Sequence, residues 1–198
     1  MNETISWISG NYIELIAAAL GLVAIILQIR QHILYWPVSI VLVSLYIYVY
    51  IHAKLYADMS LQVYYLGISF YGWYHWAFGK RNGTGEKLPV SFASLKVMMV
   101  SLVVAVVLFW TISAILIHYT DSDLPYWDAF TTALSFVATW MLARKIIENW
   151  LVWIVVDAVS VGIYIYKGLY PTAILFTVLT ILAIAGYISW RKDAARQG

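Results

Sequence analysis

Apolar residues in this chain come in long blocks, with polar residues gathered at the joints between them. A bilayer crossing needs about 20 mostly apolar residues in a helix. Seven blocks approach that length, at approximately 12–29, 34–51, 59–78, 94–117, 126–143, 149–166 and 170–190. The joints are short except for 79–93, whose Asn82-Gly83-Thr84-Gly85 reads as a flexible loop. The pattern predicts an all-α integral membrane protein with seven transmembrane helices.

The blocks also repeat. A shift of 114 residues lays Tyr12 on Tyr126, Ala19-Leu20 on Ala133-Leu134, Arg30 on Arg144 and Trp36 on Trp150 without a gap. The same shift pairs Tyr50-Ile51 with Tyr164-Ile165, Leu55-Tyr56 with Leu169-Tyr170, Gly72 with Gly186 and Trp76 with Trp190. Each copy holds three helices, so the expected organisation is a first three-helix unit at 11–78, a loop and linker helix at 79–118, a second unit at 125–190 and a tail at 191–198. Three helices plus a linker make an even number of crossings before the second copy begins. Both copies then enter the membrane in the same direction, a 3+1+3 parallel repeat of the kind found among small transporters such as the SWEETs.

Composition agrees with this reading and removes other classes. Of 198 residues, 63% are hydrophobic and 11% charged, where a soluble domain carries about 25% charged residues. With no cysteine, disulfides, thiolate nucleophiles and cysteine metal sites are excluded. A net charge of +2, widely dispersed, gives no footprint for nucleic acid. The first ten residues lack the basic start of a cleaved signal peptide, so the first apolar block is expected to be retained as a helix. Basic residues set the orientation. Arg30, Lys80, Arg81, Lys87, Lys96, Arg144, Lys145, Arg191, Lys192 and Arg196 share one side, against Lys54 and Lys167 on the other. The N-terminus is therefore expected outside and the C-terminus in the cytoplasm.

Against that apolar background one stretch stands out. Trp150, Trp153, Asp157, Ser160 and Tyr164 recur at helical spacing and fall on one face of the sixth block. An ionisable group at membrane depth is costly and faces a bundle interior or a water-filled path, which makes Asp157 the leading functional candidate. An interhelical hydrogen bond and a role in carrying a coupling proton are the other readings of this carboxylate. Under the repeat, Trp153 corresponds to Ser39 and Asp157 to Val43, so the carboxylate and second indole belong to one copy alone. Two copies diverge in this way around a small asymmetric ligand. The third block carries a second polar–aromatic stripe, Gln62, Tyr65, Ser69 and Trp73, which serves equally as a binding surface or as glue between helices. An indole face attracts cations and a nearby carboxylate neutralises them, so Trp153 with Asp157 suits a flat, positively charged aromatic ligand.

The remaining features read blandly. Trp7, Trp36, Trp76, Trp127 and Trp190 lie near block ends and are expected as interfacial belt anchors. Glu14 and Asp128 match under the repeat, each near the start of its unit, where a helix N-terminus favours a carboxylate. His32, His52, His75 and His118 show no metal-ligand spacing, and no cofactor is expected. HExxH, GxSxG and GxxxxGK[ST] are all missing, which speaks against an intramembrane hydrolase and an ATP-driven pump. The last block has no lysine for a retinal-type receptor.

Trp150-x-x-Trp153-x-x-x-Asp157, followed by Tyr164-Ile165-Tyr166-Lys167-Gly168-Leu169-Tyr170, resembles the Pnu family of bacterial vitamin transporters, and most of all its members that carry nicotinamide riboside. Gln62-x-x-Tyr65 through Tyr71-Gly72-Trp73-Tyr74-His75-Trp76 is similar to the same family, and the likeness spans essentially the whole chain. The resemblance implies facilitated diffusion of a vitamin or its precursor across the inner membrane, with the substrate held near mid-membrane. A cytoplasmic kinase would trap it by phosphorylation for NAD biosynthesis. It implies a site lined by Trp150, Trp153 and Asp157, with Gln62 and Tyr65 opposite; Ser69 and Tyr164 extend the two stripes. The family often has Asn where this chain has Asp157. Relatives carry thiamine or riboflavin, and the carboxylate favours cationic nicotinamide riboside or thiamine over neutral riboflavin. A non-transporting membrane sensor or scaffold is the reading from another class. A monomer and a homo-oligomer both fit the apolar surfaces.

Overall fold

The structure, a computed structural model, describes residues 20–52, 56–79 and 88–197. It shows seven helical segments: α1 (Leu20–Ile29 in its described part), α2 (Tyr35–His52), α3 (Tyr56–Phe78), α4 (Leu95–Tyr119), α5 (Pro125–Ala143), α6 (Asn149–Tyr166) and α7 (Tyr170–Gln197). Hydrocarbon offers no partner for backbone N–H and C=O groups, so apolar runs of this length close their hydrogen bonds internally as helices. By length and composition α2, α4, α6 and α7 can each cross a membrane. Helices α3 and α5, of 23 and 19 residues, are also long enough at about 1.5 Å per residue, though richer in Tyr, Trp, Ser and Thr. The most visible departure from the expected bounds is α7. Arg191 ends the apolar run but not the helix, which continues to Gln197 with an Arg196–Asp193 pair at 3.8 Å along its surface.

The chain divides into two compact units, Met1–Lys87 and Leu88–Gly198. The first contains α1–α3, the second α4–α7. In the first unit, α1 ends on Gln31 with φ +53°. Gln31 N–H donates to the Gln28 carbonyl at 3.0 Å and His32 N–H to the Leu27 carbonyl at 2.9 Å, the paired bonds that close a helix through a left-handed residue. The chain then restarts at α2, with Trp36 N–H on the Ile33 carbonyl at 3.2 Å.

The second unit reproduces this joint bond for bond. Lys145, the counterpart of Gln31, has φ +55°. Its N–H donates to Leu142 at 2.9 Å, Ile146 N–H to Met141 at 2.9 Å, and Trp150 N–H to Ile147 at 3.1 Å. The sequence repeat is thus a structural repeat at the level of single hydrogen bonds.

Both units also share a tryptophan–glycine lock, and here three expected belt anchors are corrected. Trp36, Trp76 and Trp190 are buried, at 0%, 6% and 0% exposure. Trp36 meets Trp76 edge-on at 5.3 Å, and Trp150 meets Trp190 edge-on at 5.6 Å. The Trp36 ring occupies the space a side chain at Gly72 would fill; the Trp150 ring does the same at Gly186, 2.6 Å from where a Cβ would stand. A glycine on the facing helix lets an indole lie flat on backbone, and that packing outcompetes the headgroup region. Trp127, 53% exposed, keeps a surface position, and Trp7 lies outside the described residues.

Helix α5 forms the centre of the second unit. Ala129, Ala133, Val137, Ala138, Met141, Leu142 and Ala143 are all buried. Small residues allow the close helix approach that drives packing in lipid. The hydroxyls on this helix bond back to it, Ser135 to the Thr131 carbonyl and Thr139 to the Ser135 carbonyl, both at 2.8 Å. Pro125 opens α5 at a position that needs no N–H, and Asp128 in its first turn accepts from the Ser122 hydroxyl at 2.6 Å. Glu14, its repeat partner, lies outside the described residues. Helix α4 packs on α5 through Ala105 against Val137 and Met141, with Ile146 completing the cluster.

Candidate functional site

Helix α6 has 18 residues, and Asp157 stands at its middle. At 1.5 Å per residue that is about 12 Å from its first turn, near the centre of a hydrocarbon layer about 30 Å thick. The side chain is 5% exposed. Ser160, 6% exposed, follows on the same face, with Ile163 buried beyond it. The face read from helical spacing is the inward face of α6.

Trp153, one turn before Asp157, is half-buried, and its indole nitrogen is fully shielded with no hydrogen-bond partner. Asp157 has no hydrogen bond or ion pair among the described residues. A shielded donor and a buried carboxylate side chain therefore lie about 6 Å apart along the helix, each without a hydrogen-bond partner among the described residues. Buried polar groups are nearly always paired, and each exception calls for an explanation such as a ligand or water. Tyr164 closes the stripe, stacked on Phe176 of α7 at 5.1 Å with 27° between planes. Trp150 is different: its ring is committed to Gly186 and Trp190.

In the first unit, the positions equivalent to Trp153 and Asp157 hold Ser39 and Val43, both buried at 8%. The same face of the fold thus carries small, uncharged side chains in one copy and a carboxylate and an indole in the other. On α3, Gln62 and Tyr65 are half-buried. Ser69 is buried at 4%, and its hydroxyl donates to the Tyr65 carbonyl at 2.6 Å, which uses it within its own helix. Trp73, on the same stripe, is 40% exposed.

Two features had no sequence signal. Asn149, at the head of α6, is fully buried; its amide donates to the Ile146 carbonyl at 2.6 Å and its side-chain oxygen has no partner. A recess of about 480 Å³ lies between the start of α5 and the end of α6, lined by Leu124, Trp127, Ala158, Val159, Gly162, Ile163 and Tyr166. It is large enough for a small ligand but includes neither Asp157 nor Trp153 and is almost wholly apolar. Among the described residues no cluster of His, Asp or Glu could hold a metal ion.

Comparison with known proteins gives the family and the fold. The profile of the nicotinamide mononucleotide transporter family matches residues 11–192. The nicotinamide riboside transporter PnuC of Escherichia coli (strain K12) is 28% identical over 211 residues, covering 95% of this chain and 88% of that protein. The riboflavin/roseoflavin transporter RibM of Streptomyces davaonensis is 24% identical, covering 91% and 87%. In fold, the chain matches the crystal structure of the vitamin B3 transporter PnuC with a TM-score of 0.75 at 22% identity, over 100% of this chain and 88% of that one. A seven-helix, multi-pass membrane protein with this match over nearly its whole length belongs to the nicotinamide mononucleotide transporter family, and is a transporter rather than an enzyme.

Proposed function

We propose that the protein is a uniporter for nicotinamide riboside, working by alternating access. The observation that carries the proposal is the unpaired pair on α6: the shielded Trp153 indole N–H and the buried Asp157 carboxylate one turn on. Nicotinamide riboside brings a flat cationic ring, a carboxamide that accepts hydrogen bonds and a hydroxyl-rich ribose. Trp153 stacks on or donates to the ring system; Asp157 offsets the positive charge or accepts from ribose. Both groups gain partners only when substrate is bound, which is where binding energy is available. Ser160 and Tyr164 extend the contact along α6, and Gln62, Tyr65 and Ser69 on α3 are further candidate contacts. Trp150 is assigned to packing, because Trp36 makes the same lock in the copy that lacks the carboxylate.

The cycle needs no energy source of its own. Phosphorylation by a cytoplasmic kinase keeps free substrate low inside the inner membrane, and the basic-residue bias supports a C-terminus on that side. Thiamine, also a cationic aromatic, satisfies the same two groups and is the second reading. The name of PnuC favours nicotinamide riboside, while that of RibM makes riboflavin a necessary comparison.

Uptake into proteoliposomes of the three vitamins, in parallel and in competition, tests the proposal. Saturable entry of nicotinamide riboside, lost on Asp157→Leu in a protein that still assembles, is the expected result. Uptake undiminished in that variant would remove Asp157 from the site.

A further inference from the structure

The second unit carries a device at its α5–α6 joint. The α5–α6 joint interrupts the helical ladder, and the Lys145 carbonyl and the Ile147 N–H both bond outside it. The segment before α4 takes both. Ser91 N–H donates to the Lys145 carbonyl at 3.0 Å and Ile147 N–H to the Ser91 carbonyl at 3.0 Å, a parallel bridge between Ser91 and Ile146. Two charged side chains reinforce it. The Glu148 carboxylate accepts from Ala93 N–H at 2.9 Å, and the Lys145 ammonium donates to the Leu88 carbonyl at 3.1 Å.

These residues are costly choices locally. Lys145 is only 8% exposed and occupies a left-handed position where glycine is the default. Glu148 sits at the N-cap of α6 yet makes no cap bond to that helix, reaching across to Ala93 instead. In the first unit the same joint, with the same backbone bonds, holds Gln31 and Leu34 at these positions, and Leu34 is 52% exposed. The shared turn is therefore common to both copies, and the two charged residues mark where they diverge. From the strap the chain passes directly into α4, whose Ser94 hydroxyl caps Val97 N–H at 3.3 Å and whose Val97 and Ala105 pack on the cluster containing Ile146.

We infer that Lys145 and Glu148 latch the linker helix α4 to the head of α6, so that α4–α7 move through the transport cycle as one four-helix body. The latch stays closed in every state. It also makes Lys145 and Glu148 positioning residues for Trp153 and Asp157, since the strap fixes the first turn of the helix that carries them. This inference rests on the transport reading above, and the experiment separates the two.

The chain has no native cysteine, so Ser91→Cys with Ile146→Cys places the only two thiols on directly bridged backbone positions, close enough for a disulfide. The variant is reconstituted in proteoliposomes, and nicotinamide riboside, thiamine and riboflavin uptake is measured before and after oxidation, with free thiols counted by maleimide labelling. The expected result is complete loss of free thiols with unchanged uptake. Oxidation that stops uptake, restored by reductant, would show that the latch must open and would overturn the inference. So would thiols that stay free in a working transporter. If this pair does not assemble, hydrogen exchange of the Ser91, Ala93 and Ile147 amides in the unmodified protein, with and without nicotinamide riboside, decides the matter: equal protection is expected, and protection lost when substrate binds overturns the inference. Absence of uptake in the unmodified protein, by contrast, would count against the transport reading itself.

Discussion

Replacing Gly186 with alanine is the sharpest test of the packing described for both units. A Cβ at this position stands 2.6 Å from three carbons of the Trp150 benzo ring, whereas carbon atoms pack best at about 3.5–4.0 Å. The ring must therefore retreat about 1 Å. It has little room to do so, being 1% exposed, with Trp190, one turn along α7 from Gly186, edge-on at 5.6 Å. Overpacking of this kind costs about 1–3 kcal/mol. The better helix propensity of alanine returns about 1 kcal/mol, so the net is a loss of up to about 2 kcal/mol. On the scale of a chain this long, that lowers the thermal midpoint by up to about 8 °C, read by unfolding fluorescence of the detergent-solubilised protein. Gly67→Ala is the control, because nothing lies within 4 Å of its Cβ, and it is expected to be neutral or slightly stabilising. Adding Trp150→Phe to Gly186→Ala should recover part of the loss by shortening the ring. Equal stability of the Gly186→Ala and Gly67→Ala proteins would refute the lock.

Other outcomes follow from the same structure. Gly168 has φ +70° at the C-terminal end of α6, where Leu169 N–H bonds the Tyr164 carbonyl at 2.8 Å; Gly168→Ala should cost about 1–2 kcal/mol, seen in the same unfolding assay. Trp153→Phe keeps an aromatic face but removes the shielded donor, and is expected to weaken substrate binding about tenfold, one unsatisfied contact of about 1.4 kcal/mol, with the fold intact by gel filtration. Asp157→Asn preserves shape and hydrogen bonding but not charge. It should weaken binding of cationic vitamins more than that of neutral riboflavin in a competition assay.

Much of the fold was legible because lipid leaves few choices. Apolar block length dictates helices, and the six helices described from end to end begin and end within a few residues of the expected bounds, apart from the tail of α7. There, hydrophobicity marks where the chain leaves the apolar run; helix propensity decides that Arg191–Gln197 stays helical. The 114-residue repeat was also visible, and it contained the clue that Trp36, Trp76 and Trp190 are not belt residues. Each pairs with its counterpart together with a glycine, Gly72 or Gly186. A tryptophan at a span end has two homes, however, and only the facing helix shows which is filled. The inward face of α6 was readable from spacing, since an intramembrane carboxylate tolerates few surroundings. The orphaned Trp153 nitrogen was not, because the lack of a partner is a property of three dimensions. Nor was the latch: Glu148 and Lys145 reach residues 55 and 57 positions away, and nothing local marks a contact at that range.

The most direct test of the central claim is the affinity of the purified protein for nicotinamide riboside, thiamine and riboflavin, measured by calorimetry for the unmodified chain and for Asp157→Leu. Saturable binding of nicotinamide riboside, little or none of riboflavin, and loss of that binding in a well-folded Asp157→Leu protein are expected. Binding that survives the substitution unchanged, or that favours riboflavin, would contradict the claim.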